Sequence, residues 1–156
     1  MRAIKLTKGY ETIVDDDVAD LIEILGWPWY ANEQPTGGVY VYRMLWVAGK
    51  RYNVWLHRWI LGESAGDLVD HRDRNGLHNW RTNLRTATKS QNAANSDIIR
   101  SNTGFRGVYP NKRRFMARIG LNQKSMHLGT YDTPEEASSI YEAKRRELFG
   151  EFAPCR

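Results

Sequence analysis

The sequence predicts an α+β protein in which a small α+β segment and a polar central segment precede a βββα unit. Three observations predict this class. Apolar residues recur at helical spacing over 18–25, and runs rich in Val, Tyr and Trp between glycine turns predict strands over 39–56. Capping boxes at 88–91 and 133–136 mark two further helix starts.

The first segment, residues 1–56, is expected to pack on the central segment. The aspartates at 15–17 can cap a helix and suit its positive N-terminal dipole, and Gly26 is a suitable stop. Strands are predicted over 39–47 and 51–56, joined by a glycine turn. The tryptophans of this segment are predicted to be mostly core residues: Trp27, Trp29, Trp46 and Trp55.

Residues 57–96 are polar and poor in apolar side chains, so they cannot form a core of their own. This central segment is predicted to hold a loop between two ordered ends, a short strand over 67–71 and a helix that starts at the capping box 88–91. That helix carries Asn92 and Asn95, which are three residues apart and therefore share a face.

Residues 103–152 predict three strands and a helix in the order βββα. The strands are expected over 104–109, 113–119 and 124–128, and Gly150 ends the helix. The short polar connection 97–102 is the predicted domain boundary.

Composition excludes several classes. No apolar run is long enough for a membrane span, and the N-terminus has no signal-peptide core, so we expect a cytoplasmic protein without membrane contact. The single cysteine, Cys155, cannot form an internal disulfide or a thiolate zinc site. Any metal must therefore be held by oxygen or imidazole.

The charge distribution points to a polyanionic partner. The net charge is +5, and residues 101–130 contain six basic side chains and no acidic one. A solvated basic face is the alternative, and charge alone does not decide between the two.

One cluster of residue types could carry chemistry. Asp70 and His71 are adjacent, and Asn92 follows on the predicted helix. A carboxylate and an amide oxygen can hold a hard cation, and a neutral imidazole can take a proton from water near pH 7. Together with a basic surface this suggests phosphodiester hydrolysis. By spacing alone, a surface Asp-His pair is the more common explanation.

The longer string changes that weighting. His57-Arg58, the run 69–79 and the run 83–92 together resemble the HNH endonucleases, most closely the homing endonucleases of phages and introns. In that family the motif folds as a ββα-metal module around one divalent cation, here residues 57–100.

The resemblance implies a role for each matching residue. Asp70 and Asn92 would be ligands of Mg²⁺ or Mn²⁺, and His71 the general base. Asn83 would tie the long loop together and orient the histidine. His57 and Arg58 would support the module, through structure or through phosphate contact; His78 has no assigned role.

The last third, residues 103–153, resembles the plant Apetala/ethylene-response-factor DNA-binding domain. Matching segments are 104–108, 115–119, 127–137 and 148–153. The resemblance implies a sheet that enters the DNA major groove, and some phage HNH endonucleases carry this domain after the nuclease module. The plant base preference does not transfer, because key positions differ.

Period-two geometry divides the sheet into two faces. Phe115, Ala117 and Ile119, with Met126 and Leu128, are expected to pack on the helix, and Ser125 to face outward. Lys112 to Arg114 would hold phosphates at a hairpin tip. The predicted DNA-binding residues are Arg106, Tyr109, Lys112, Arg113, Arg114, Arg118 and His127.

The sequence thus predicts a sequence-directed, metal-dependent endonuclease that acts on double-stranded DNA. One alternative is a non-catalytic DNA-binding regulator that retains an HNH shell; another is a non-specific defence nuclease. The target site, the metal and the oligomeric state stay open, with a monomer as one option. One active site per chain favours a nick unless two chains assemble.

Overall fold

The computed structural model describes residues 1–35, 37–62, 68–96, 98–99 and 101–153. The chain forms two compact units, Met1–Ala87 and Thr88–Arg156. Three positions named in the sequence analysis lie outside the described residues. They are Asp67, where the short strand was predicted to start, Asp97, where the predicted linker starts, and Cys155. Within the described part, no helix is long and apolar enough to cross a membrane.

In its described residues, the first unit contains three antiparallel sheets and two α-helices. Its order is β1 (Arg2–Lys5), β2 (Glu11–Val14), α1 (Asp16–Leu25), β3 (Tyr30–Glu33), β4 (Val39–Val47), β5 (Lys50–Trp55), α2 (Leu56–Leu61), β6 (Leu68–His71) and β7 (Leu84–Ala87). β1 pairs with β2, β4 lies between β3 and β5, and β6 pairs with β7. The predicted α1 and β4 are confirmed, and Gly26 ends α1 in the left-handed region at φ 59°.

A small apolar core holds this unit together. Val14, Val18, Ile22, Val41 and Leu56 are almost completely buried in one cluster. Burial of each such side chain stabilises the fold by about 1.5–3 kcal/mol. One prediction is corrected here, because the completely buried Leu56 begins α2 instead of ending the predicted strand.

The prediction for the tryptophans is correct only in part. Trp29 is buried, whereas Trp27 is more than a third exposed and Trp46 is 68% exposed. Trp46 lies near the end of the β4–β5 hairpin, opposite Arg51, and most of its side chain faces solvent. Its prediction as a core residue is therefore wrong.

The second unit has the predicted βββα order behind a short helix. Its elements are α3 (Lys89–Asn95), β8 (Val108–Asn111), β9 (Arg114–Leu121), β10 (Lys124–Tyr131) and α4 (Pro134–Phe149), and β9 is the central strand. Thr88 and Gln91 form the predicted capping box of α3. Thr133 caps α4, and Pro134 is its first residue.

The first strand of this sheet starts later than predicted. Residues 104–107 form a turn with Gly104 at φ 76° and Gly107 at φ 67°, in the left-handed region that glycine tolerates best. A Cβ at Gly107 would lie 2.1 Å from the Tyr141 ring. The glycines therefore serve the turn and the close approach of α4, not a strand.

The sheet alternates as predicted on β9 but not fully on β10. Ala117 and Ile119 are buried, while Arg114 and Arg118 are exposed. Met126 pairs with Ile119 but is 41% exposed, against its predicted burial. A register shift between His127 and Gly129 interrupts the alternation on β10.

Two arginines hold the C-terminal end of α3 within the second unit. Arg145 is fully buried and donates from Nε and Nη2 to the Ala94 carbonyl at 3.1 and 2.9 Å. Arg106 donates to the carbonyls of Ala93, Ala94 and Ser96. Cations suit the negative end of a helix and satisfy its last carbonyls. By its contacts α3 belongs to the second unit, so the division into units falls before this helix.

Candidate active site

The pair β6–β7 places a carboxylate opposite a guanidinium. Asp70 on β6 is in register with Arg85 on β7, and both side chains are more than nine-tenths buried. Arg85 Nε donates to Asp70 Oδ2 at 2.8 Å, and Arg85 Nη2 lies 2.7 Å from the same oxygen as an ion-pair contact. This ion pair fixes the orientation of the carboxylate and compensates its charge away from water.

The neighbouring His71 is held in one tautomer by a buried amide. Its Nε2 lies 3.1 Å from Asn79 Oδ1, and Asn79 is fully buried. The Asn79 amide nitrogen donates to the Gly76 carbonyl at 3.0 Å and to Thr12 Oγ1 at 2.9 Å. Because a carbonyl can only accept, the amide oxygen must face His71, and Nε2 must carry the proton. Nδ1 is then the basic nitrogen of the neutral ring.

Burial keeps this imidazole neutral. It lowers the pKa of His71 below its ordinary value, although the hydrogen bond to Asn79 and the charges of Asp73 and Asp70 act in the opposite direction. A histidine that is neutral at pH 7 can accept a proton there. The site therefore provides a positioned base.

His57 at the start of α2 packs against His71. Their ring centroids are 5.2 Å apart, and the Tyr40 ring lies about equally close to both, at 6.0 and 5.9 Å. Burial first, and then His71 and Arg58, lower the pKa of His57 to about 3. His57 is thus a neutral, buried side chain that packs against His71, and its supporting role stays a prediction. Arg58, on the same helix, is only partly exposed.

Asn83 closes the loop between β6 and β7. Its Nδ2 donates to Asp73 Oδ1 at 2.9 Å and to the His78 carbonyl at 2.8 Å, and its Oδ1 accepts from the Asp73 backbone N–H at 3.2 Å. Its own carbonyl accepts from the Arg72 N–H at 2.8 Å. Four hydrogen bonds from one residue fix both ends of the loop after His71.

His78 belongs to the same loop network. Its Nδ1 lies 2.5 Å from Asp73 Oδ2, and Asn75 Nδ2 donates to its Nε2 at 3.2 Å. Burial raises the pKa of Asp73, but hydrogen bonds from Asn75, His78 and Asn83 outweigh it, so this pKa lies below its ordinary value. The arrangement assigns His78 a structural place in the loop.

The two predicted metal ligands lie in different units. Asp70 is buried in the first, and Asn92 is exposed on α3 of the second. Among the described residues no three His, Cys, Asp or Glu side chains cluster as a metal site would require. A joint role for Asp70 and Asn92 stays a proposal.

The second unit presents most of the predicted DNA-binding residues on one exposed face. The register aligns Tyr109, Arg118 and His127 on it, and Arg118 Nε donates to Ser125 Oγ at 3.1 Å. Arg114 shares this face and pairs with the exposed Asp132 at 2.7 Å. Lys112 and Arg113 form the turn between β8 and β9. Arg106 is placed differently, since its guanidinium donates to carbonyls at the end of α3.

Three residues of the site escaped the sequence interpretation. Arg85 and Asn79 lie within the matched string, but neither has a role until the strand register and the loop are known. Tyr40 precedes the string by 17 residues and reaches the site because β4 passes beside it. Alternation along β4 could have predicted the face of the sheet on which Tyr40 lies, but not that His71 lies next to it.

Comparison with known proteins agrees with the nuclease motif. Over 104 residues the chain is 36% identical to a protein of Acanthamoeba polyphaga mimivirus called an uncharacterized HNH endonuclease. The match covers 63% of this chain and 54% of the viral protein, so the chain spans about half the length of that relative. No family model and no solved structure match the chain.

Proposed function

We propose that the chain is a metal-dependent DNA endonuclease of the HNH type. The observation that carries this proposal is the His71 imidazole, which is neutral, buried and fixed by Asn79 with Nδ1 as the basic nitrogen. Similarity to a named HNH endonuclease supports the reaction class. His71 would take the proton of the water that attacks the phosphodiester.

Asp70 and Asn92 would hold the divalent cation, Mg²⁺ or Mn²⁺. Carboxylate and amide oxygens suit such ions, but Arg85 already holds Asp70 Oδ2. A carboxylate has about four acceptor positions, so a cation can share it with a guanidinium. We expect weak metal binding without DNA, because the adjacent positive charge opposes it. When bound, the metal would stabilise negative charge at the cleaved phosphate.

The remaining parts would position the DNA. Asn83 fixes the loop after the base, and the sheet β8–β10 would bind the major groove through its exposed face. A targeting sheet behind a single nuclease site supports a homing-type enzyme. The alternative, a regulator without activity, would retain the Asp70–Arg85 pair for stability alone.

Plasmid cleavage tests the proposal. Supercoiled plasmid with Mg²⁺ or Mn²⁺ should be cut by the full chain, and chelator should stop the reaction. His71→Ala should lower the rate by about 10²–10⁴-fold while DNA affinity stays the same. The matched control is His127→Ala, an exposed histidine on the sheet, which should alter binding but not the rate at saturating protein. Wild-type rates for the first variant, or cleavage that survives chelator, would contradict the assignment.

A further inference from the structure

The end of the β4–β5 hairpin exposes apolar side chains on both faces. Within residues 44–53, here called the ribbon, Trp46 is 68% exposed and Tyr52 is 51% exposed. Met44, Leu45 and Val47 are each more than a third exposed. A two-stranded ribbon without a covered face is marginally stable alone, and contiguous exposed apolar surface marks a place of interaction.

The charge around the ribbon favours an anionic partner. Residues 34–62 contain four basic side chains and no acidic one. Lys50 and Arg51 are exposed, and neither has an ion-pair partner among the described residues. By contrast, Arg2 and Lys8 elsewhere in the unit both pair with carboxylates. Unpaired cations beside exposed aromatic rings are typical of a nucleic-acid surface.

One face of the ribbon leads to the candidate active site. The register places Trp46 opposite Arg51 and Tyr42 opposite Trp55, and alternation puts all four on one face. The ring centroids of Tyr42 and Trp55 are 5.8 Å apart, and the Trp55 ring stacks on the His57 ring with centroids 6.2 Å apart. His57 in turn contacts His71.

Among the described residues, no aromatic contact leads from the opposite face of the ribbon to His71. It carries Lys50, Tyr52 and their cross-strand neighbours. The two faces therefore offer similar chemistry, an aromatic ring and a cation, but in the described part of the chain aromatic contacts connect the Trp46 face, and not the other, to His71. The ribbon itself thus contains matched controls.

The length of β4 sets the distance between Trp46 and the candidate active site. Tyr40, which contacts His71, and Trp46 are six residues apart on β4, which corresponds to about 20 Å at about 3.3 Å per residue. One turn of duplex DNA takes about 10 base pairs over about 34 Å. The interval therefore equals about six base pairs.

We propose that the Trp46 face of the ribbon is a further DNA-contacting surface, which binds the duplex about six base pairs from the phosphate cut at His71. Arg51 would contact a phosphate there, and the Trp46 ring would pack on sugar or base edges. The inference rests on the proposed nuclease function only for the location of the cut. Contact with DNA is a separate claim.

Binding without metal tests the contact independently of cleavage. The full chain is titrated in chelator with a labelled duplex of about 30 base pairs, three helical turns, over a range of salt. Trp46→Ser should weaken binding about tenfold. Arg51→Gln should reduce the slope of log affinity against log salt by about one. Tyr52→Ser and Lys50→Gln, on the other face, should leave both quantities unchanged.

Three results would overturn the inference. Equal effects from the two faces would show that the ribbon only supports the fold. A dimer that Trp46→Ser converts to monomer at unchanged DNA affinity would show self-association. A dependence on Trp46 seen only with single-stranded DNA would exclude the duplex.

Failure of the nuclease proposal looks different. If the chain never cuts DNA but binds the duplex through Trp46 and Arg51, the ribbon surface is supported and the proposed role of His71 is wrong. If the chain cuts DNA normally and all four ribbon variants bind DNA like the wild type, the proposed role of His71 is supported and the ribbon surface is wrong.

Discussion

The polar residues of the two units are arranged in opposite ways. In the first unit Asp70, His71 and Asn79 are buried and bonded to partners within the fold. In the second, Arg118 and His127 lie exposed on a sheet face. Chemistry needs groups fixed before substrate arrives, whereas recognition needs donors that can reach a partner. Under the proposed function, the first unit would meet the first requirement and the second unit the second.

The largest expected difference is in the two aspartate–arginine pairs. Asp70→Ala leaves Arg85 buried without its carboxylate, and should lower the free energy of unfolding by about 3–5 kcal/mol. Asp132→Ala breaks an exposed pair with Arg114, and should cost at most about 1 kcal/mol. Urea denaturation of both variants measures the contrast.

A double variant separates stability from catalysis. Asp70→Leu with Arg85→Met replaces the buried pair by apolar groups and should recover most of the lost stability. Cleavage should stay absent, because the proposed metal ligand is missing. Equal destabilisation by the two single aspartate variants would remove the contrast between buried and exposed pairs.

The sequence predicted the features that depend on local chemistry. The strand 39–47, the capping box 88–91 and the βββα order are local, since alternation, caps and glycine turns act over a few residues. These elements could be predicted because residues close in sequence determine them.

The features that the sequence did not predict depend on distant neighbours. The contact between Asp70 and Arg85 needs the register across a long loop, and the role of Asn79 needs the course of that loop. The exposure of Trp46 depends on the surroundings of a hairpin end. Periodicity identifies the face a residue occupies but not the element that covers that face.

A smaller effect concerns the state of the base. Asn79→Asp would place a carboxylate on His71 Nε2, raise the pKa of His71, and move the acid limb of the cleavage rate up by about one pH unit. The lost rate should therefore return as the pH is raised. Asn79→Ala removes the acceptor and should lower the rate about 10²-fold at every pH.

The control for this pair is again in the second unit. Ser125→Ala removes the hydrogen bond to the exposed Arg118 and should leave the pH profile unchanged. Identical pH profiles for wild type and Asn79→Asp would show that His71 is not the group that titrates in catalysis.

The smallest expected effect is on recognition. Arg118 lies in the middle of the exposed face of the sheet, where an arginine can reach paired acceptors on guanine. Arg118→Ala should cost about 1–3 kcal/mol on the preferred duplex and relax its sequence preference. Lys112→Ala, at the hairpin tip, should weaken binding to all DNA sequences equally and lower the slope of log affinity against log salt by about one. Salt titrations on a preferred and a scrambled duplex compare the two. If Arg118→Ala lowers affinity for both duplexes equally, Arg118 contacts phosphate. The exposed face would then position the chain on DNA, and the division between a fixed chemical site and a reading surface would not hold.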